Sequence, residues 1–308
     1  MAQKWTAAQM PSQAGKTAIV TGANSGIGFQ AAAELAAHGA HVLLAVRSLP
    51  KGEEAAARIR AATPTASVEV VSLDVASLAS VRAFAESFLA SDRGLDLLIN
   101  NAGVMALAKR ELTADGFERQ FATNHLGHFA LTGLLLPALE KATAARVVTV
   151  ASLAHRNGKF ELDNLQGEKK YVPWDVYGMT KLANVLFASE LERRARKSGL
   201  TLRSLAVHPG IARTQIFQNG PGMGDIKGII TRLFAPLMTQ DDARGALPTL
   251  YAATNPAALG GQYIGPDGMG ELKGWPKVVE PRENGKDPVA AKQLWEASEK
   301  LTGVHYLD

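Results

Sequence analysis

The chain has 308 residues, 46% hydrophobic and 20% charged, with 29 glycines, 14 prolines and no cysteine. Its length suits one large α/β domain or two ordinary ones, and the lack of cysteine excludes a disulfide framework, a thiolate metal site, an iron–sulfur cluster and a cysteine nucleophile. Lys+Arg 33 against Asp+Glu 29 leaves only +4, and the densest basic run, Arg193, Arg194, Arg196 and Lys197, closes a helix before Gly199, where cations complement the helix's negative end. No nucleic-acid partner is expected.

Residues 1–14 lack the apolar run of a secretory signal and read as a short solvated arm. Apolar strand candidates then follow at 17–21, 41–46, 67–73, 95–99, 146–150 and 201–207. Between them lie segments of helical period at 27–37, 51–62, 77–90, 116–140 and 175–198. This alternation predicts an α/β fold, a doubly wound parallel sheet covered by helices on both faces. Residues 208–261 interrupt the rhythm with five prolines around helices expected at 226–234 and 241–253, and a last strand is expected at 262–264. Beyond Glu271 the chain is polar until an amphipathic helix, 288–301, that puts Ala291, Leu294, Trp295 and Ser298 on one face. The longest apolar stretch, 129–139, carries Thr132 and Gly133 and is well short of the about 20 residues that span a bilayer. No transmembrane segment is expected, and the expected location is cytoplasmic.

The first strand runs into Thr21-Gly22-Ala23-Asn24-Ser25-Gly26-Ile27-Gly28 and then directly into a helix. Glycines there let the backbone turn sharply and approach a pyrophosphate, which the helix's N-terminal N–H groups attract; alone, the triplet reads equally as a structural turn. An NAD site usually carries an acidic residue about 20 residues further on to hold the ribose 2′-OH. Here the second strand ends in Val46 and Arg47, and a guanidinium suits a 2′-phosphate, so the expected cofactor is NADP(H). Asn100-Asn101-Ala102-Gly103 ends the fourth strand, where open α/β sheets bind ligands, although this string by itself is also ordinary turn chemistry. Tyr177 and Lys181 stand four apart on a helix and share a face. The cation is expected to favour phenolate and lower the Tyr177 pKa, giving a proton donor for a developing alkoxide; seen alone, such a pair is as readily a surface contact.

These motifs, with Ser152 after the fifth strand and Pro209-Gly210 after the sixth, occur in the order and spacing of the short-chain dehydrogenase/reductase family, which residues 15–265 resemble. The strings Thr123-Asn124-His125-Leu126-Gly127-His128-Phe129, Ser152-Leu153-Ala154-His155 and Tyr177-Gly178-Met179-Thr180-Lys181-Leu182-Ala183-Asn184 resemble its retinol dehydrogenase and protochlorophyllide reductase-like branch. The resemblance implies a Rossmann-type domain over 15–270 and a catalytic set of Asn124, Ser152, Tyr177 and Lys181. Tyr177 would be general acid or base, Ser152 would bond the substrate oxygen, Lys181 would bind the nicotinamide ribose, and Asn124 would hold a water linking Lys181 to solvent. It also implies cofactor contacts from Gly22, Asn24, Ser25, Gly26, Ile27 and Gly28 at the phosphate loop, Arg47 at the 2′-phosphate, and Asp74 and Val75 at the adenine. Asn101, Ala102 and Gly103 would pass along the adenine ribose, and Pro209, Gly210, Ile211 and Thr214 would meet the nicotinamide end.

The implied reaction is hydride transfer between nicotinamide and a carbonyl or alcohol carbon, without a metal. Reduction of a C=C bond is the alternative within the family, and a non-catalytic NADP(H)-binding regulator the alternative outside enzymes. A lid at 215–237, rich in apolar residues, favours an apolar substrate, although the same residues suit an amphipathic helix facing its own core. The Ser152–Tyr177 spacing is longer than in compact members, so the insert reads as a flap or a surface excursion. Residues 271–308 form a C-terminal extension, and members often pair as dimers or tetramers through helices such as 116–140 and 175–198.

Overall fold

The computed structural model describes residues 4–211 and 239–308; the lid, the helix expected at 226–234 and Thr214 lie outside the described residues. The strands are β1 (Thr17–Thr21), β2 (His41–Val46), β3 (Ser67–Ser72), β4 (Leu97–Asn100), β5 (Arg146–Val150), β6 (Arg203–Val207), β7 (Tyr263–Pro266) and β8 (Pro276–Val279). They form one sheet in the order β3-β2-β1-β4-β5-β6-β7-β8. Every pairing is parallel except β7 with β8. β4 and β5 are buried along their whole length, which is why they read as unbroken apolar runs rather than alternating ones.

The helices are α1 (Gly26–Ala37), α2 (Leu49–Ala62), α3 (Leu78–Ala90), the single turn α4 (Arg119–Phe121), α5 (Gly127–Leu134), α6 (Leu136–Glu140), α7 (Pro173–Lys197), α8 (Asp242–Thr254) and α9 (Pro288–Thr302). Successive strand residues point to opposite faces, so the sheet builds two cores. Ala18, Val20, Val42 and Leu44 pack with Ile27, Leu35, Ala55, Ile59 and Leu250 of α1, α2 and α8. Ile19, Leu43 and Ala45 pack instead with Val81, Phe84, Phe88, Phe129 and Phe187 of α3, α5 and α7. Chain order reverses between β1 and β4, and that point of an open α/β sheet leaves a crevice at the strands' carboxyl ends.

The single helix expected over 116–140 is divided. α4 passes into a turn of π-helix, Ala122–Leu126, and Pro137 in the first turn of α6 marks a second break after Leu135. β8 was not foreseen; it is an edge strand that opens with Pro276, where a missing N–H is tolerated. The solvated arm is also corrected. Trp5 and Met10 are buried, Trp5 meets Tyr251 of α8 edge-on at 5.4 Å between ring centroids, and the Lys4 ammonium lies over Trp275. Apolar side chains in the arm are held because α8 leaves an apolar surface for them.

The C-terminal extension packs down. Trp295 of α9 is 1% exposed, with Tyr306, Phe129 and Phe187 at 4.6, 5.0 and 5.9 Å and the Arg194 guanidinium over its ring at 4.6 Å. Arg194 also donates to the Leu307 carbonyl at 3.0 Å and Lys197 to Asp308 O at 3.2 Å. The basic run that ends α7 thus secures the tail. No helix among the described residues is long and apolar enough to cross a membrane. Trp295→Ala is expected to lower unfolding stability by about 3–5 kcal/mol, as for other buried large aromatics, measured as a shift in urea midpoint with unchanged slope; a loss below 1 kcal/mol would show that the tail is a loose appendage.

Candidate active site

The reversal point opens a cleft of about 310 Å³. At one end it is lined by Gly22, Asn24, Ser25, Gly26, Ile27 and Gly28, where β1 turns into α1. Gly22 and Gly26 take positive φ values of 67° and 59°, the left-handed region that glycine enters without cost. A Cβ on Gly28 would stand 2.6 Å from the Gly22 carbonyl, so the third glycine is fixed by packing. Ser25 occupies the N-cap of α1 without a side-chain cap bond, which leaves the first-turn N–H groups directed at the cleft. Such an end, with its positive partial charge, suits a phosphate.

Arg47, Asp74, Val75, Asn101, Ala102 and Gly103 line the middle of the cleft. Arg47 is exposed beyond β2 and none of the other described residues bonds its guanidinium. Asp74 accepts from Ala76 N at 2.9 Å through Oδ1. The Asn101 loop hangs on Thr21, whose Oγ1 accepts from the N–H groups of Asn101 and Ala102, both at 2.9 Å. The Asn101 side chain returns a bond to Thr21 O at 2.8 Å.

Ser152, Tyr177, Lys181, Pro209 and Gly210 close the other end. Ser152 caps a 3₁₀ turn, Leu153–Asn157, while Tyr177 and Lys181 stand one turn apart on α7, with the ammonium 5.9 Å from the tyrosine ring centre. Lys181 Nζ donates to Val150 O at 3.0 Å. The expectation of a depressed tyrosine is overturned. Burial pushes the Tyr177 phenol up to about 12, against a smaller lowering by the Ser152 hydroxyl, and burial pulls Lys181 down to about 8. Desolvation disfavours the charged form of each, so at neutral pH Tyr177 is a protonated donor.

Asn124 does not line the cleft. It is buried on the π-turn, its Oδ1 accepting from Val104 N at 2.8 Å and its Nδ2 donating to Val104 O and Thr180 Oγ1, both at 2.9 Å. Through these bonds the Asn124 side chain ties the segment after Gly103 to α7. Ile211 is likewise outside the lining, its N–H bonded to Leu272 O at 2.7 Å. Val104, Met105 and Ala151 line the cleft without having been singled out, because apolar residues next to a motif carry no chemical signal. Thr21 and His128 were also missed as site supports, although a polar residue ending an apolar strand was a visible cue. Among the described residues no group of three or more histidines and carboxylates comes together that could hold a metal.

Residues 16–221 match the family model described as short chain dehydrogenase. The chain belongs to the short-chain dehydrogenase/reductase family. Within it, the retinol dehydrogenase-like branch fits: retinol dehydrogenase 12 of Mus musculus is 41% identical over 294 residues, covering 95% of this chain and 88% of the relative. Retinol dehydrogenase 13 of Homo sapiens is 40% identical, covering 97% and 89%. An uncharacterized protein of Mycobacterium paratuberculosis has a crystal structure that superposes with a TM-score of 0.81 at 43% identity, over 99% of each chain. A structure from Beutenbergia cavernae, described as an NAD(P)-dependent gluconate 5-dehydrogenase with bound NADP, superposes with a TM-score of 0.63 at 27% identity, over 82% of this chain and 95% of that one. As a short-chain dehydrogenase/reductase, the protein is an oxidoreductase, and the family draws on NAD(P)(H).

Behind this oxidoreductase site, histidines are held neutral. Burial brings His125 to about 3 and His128 and His155 to about 4, against about 6.5 for a solvated histidine. Below pH 6.5 the unfolded chain therefore binds protons that the folded one refuses, and stability falls with pH by about 1.4 kcal/mol per unit for each such histidine until its folded pKa is reached. Urea unfolding between pH 5 and 7 is expected to show this decline, with a shallower slope in His125→Gln; a flat profile would contradict neutral burial.

Proposed function

We propose that the protein is an NADP(H)-dependent carbonyl reductase or alcohol dehydrogenase acting on an apolar ketone, aldehyde or secondary alcohol. The observation that carries the reading is one cleft with an uncapped helix N-terminus at one end, the Arg47 guanidinium, unpaired among the described residues, along its middle, and Ser152, Tyr177 and Lys181 at the other end. Gly22, Asn24, Ser25, Gly26, Ile27 and Gly28 would hold the pyrophosphate, Arg47 the 2′-phosphate, Asp74 and Val75 the adenine, and Lys181, Pro209 and Gly210 the nicotinamide riboside. Bound there, NADPH supplies a hydride from the nicotinamide.

Ser152 and Tyr177 line the same end of the cleft, so a carbonyl oxygen set between their hydroxyls meets two donors, and Tyr177 gives up its proton as charge develops. The phenolate left behind is stabilised by the Lys181 ammonium on the same helix face. The name of the Beutenbergia cavernae neighbour's bound cofactor supports NADP, and apolar Met105, Val104 and Ala151 beside the reacting groups support an apolar substrate.

Consumption of NADPH across a panel of ketones and aldehydes tests the reading. Tyr177→Phe is expected to keep NADPH affinity within about twofold and to lower kcat by about a thousandfold, because it removes a donor needed only in the transition state; wild-type turnover by that variant would sink the assignment. Arg47→Ala is expected to raise the KM for NADPH by about tenfold to a hundredfold while sparing that for NADH, as loss of a charge-assisted pair requires. Equal losses with both cofactors would remove the 2′-phosphate role.

A further inference from the structure

Among the described residues, Trp174 is the exposed large aromatic that the reaction scheme leaves unused. It sits in the first turn of α7, is 48% exposed, and stands perpendicular to the ring of Tyr177 with centroids 5.9 Å apart. The nucleotide cleft ends at Tyr177 and does not include Trp174, so its free surface is not used by the cofactor site. An indole left half in water beside a buried reacting hydroxyl forgoes part of its burial stabilisation.

Its placement is built. Pro173 sets the backbone entering α7, and the Pro173 carbonyl accepts from Gln120 Nε2 at 3.3 Å. The same Gln120 amide donates to the Tyr171 hydroxyl at 2.9 Å, and that hydroxyl donates to Leu107 O at 2.8 Å. Gln120 Oε1 in turn accepts from Ala106 N at 2.7 Å. Ala106 adopts a positive φ of 48°, a conformation that a non-glycine residue keeps only when its surroundings impose it. The insert between Ser152 and α7 is thereby clamped to the segment following Asn101-Ala102-Gly103, and Trp174 is presented at a fixed place rather than on a loose flap.

We propose that Trp174 is a specificity-determining residue: it forms the outer aromatic wall of the substrate site and takes the planar face of the group attached to the reacting carbonyl. The assignment rests on the carbonyl-reduction reading above. Offset or edge-on aromatic contact rewards a flat ring system and gives a short alkyl chain little, so the wall discriminates by KM rather than by the chemical step.

The test compares 2-naphthaldehyde with propanal, using NADPH and the full-length wild type, Trp174→Ala and Trp174→Phe. Trp174→Ala is expected to lose about tenfold in kcat/KM for 2-naphthaldehyde, carried by KM, with a several-fold smaller loss for propanal; Trp174→Phe is expected to recover most of it. The affinity of 2-naphthaldehyde for Tyr177→Phe, which retains the ring that faces Trp174, is read by calorimetry with and without Trp174→Ala and is expected to fall by a similar factor. Equal losses for both aldehydes, a loss carried by kcat, or an affinity that is unchanged or unmeasurable in the Tyr177→Phe background overturns the assignment. A wild type that reduces neither aldehyde overturns the carbonyl-reduction reading instead, and the affinity comparison then decides the role of Trp174 alone.

Discussion

The hydroxyl of Thr21 is where the sheet, the cleft and the catalytic helix meet. Its oxygen accepts two N–H bonds from Asn101 and Ala102, and it stands 2.9 Å from Nε2 of the buried His128. His128 Nδ1 lies 3.3 Å from the Asn124 carbonyl, a partner that only accepts, so Nδ1 carries the proton and Nε2 takes the one from Thr21. Asn124 passes the connection to Thr180 at 2.9 Å, and Thr180 to the Tyr177 carbonyl at 2.8 Å. The chain of bonds fixes the Asn101 loop against the phosphate loop and sets α7 relative to both. It requires a neutral His128, and burial supplies that state.

A second constraint follows from sinking α7 into the protein. Its stretch from Val176 to Ala188 is buried without interruption, so Tyr177 and Lys181 meet an environment hostile to charge. Desolvation raises the phenol and lowers the ammonium, which leaves the resting site with a reluctant acid beside a reluctant cation. The arrangement favours donation into a developing oxyanion over standing ionisation, since the phenolate is tolerable only while Lys181 retains its proton. Below about pH 8 it does.

Much of this was legible in the sequence because backbone demands leave strong marks. Glycines at Gly22, Gly26 and Gly28 stand where positive φ or close approach admits little else, and the apolar runs of β4 and β5 reflect burial on both faces. What stayed hidden depends on neighbours distant in sequence. Gln120 carries no signal until Ala106 arrives beside it, and the bonds that Asn124 makes to Val104 and Thr180 are invisible in its motif. The raised Tyr177 was misread because i,i+4 spacing reports the cation and is silent about how deeply both groups are buried. β8 escaped because an edge strand of Pro276, Lys277, Val278 and Val279 is too short and mixed to stand out.

The C-terminal extension also reaches the site through packing rather than pattern. Glu271 holds a positive φ of 62°, strained for a residue with a side chain. Its carboxylate accepts from the Arg156 guanidinium at 2.8 Å and lies 2.8 Å from His208 Nε2. Although burial pushes that carboxyl up, the bonds from His208 and Arg156 hold it below the usual range. Arg156 belongs to the turn that Ser152 caps, and His208 immediately precedes Pro209 and Gly210. One carboxylate therefore braces both walls of the nicotinamide end against each other, and the strain at Glu271 is sustained by the two partners it joins. The residues past β7 are thus part of the framework that keeps Ser152 and Gly210 in register, which gives the extension a mechanical reason to pack as tightly as it does.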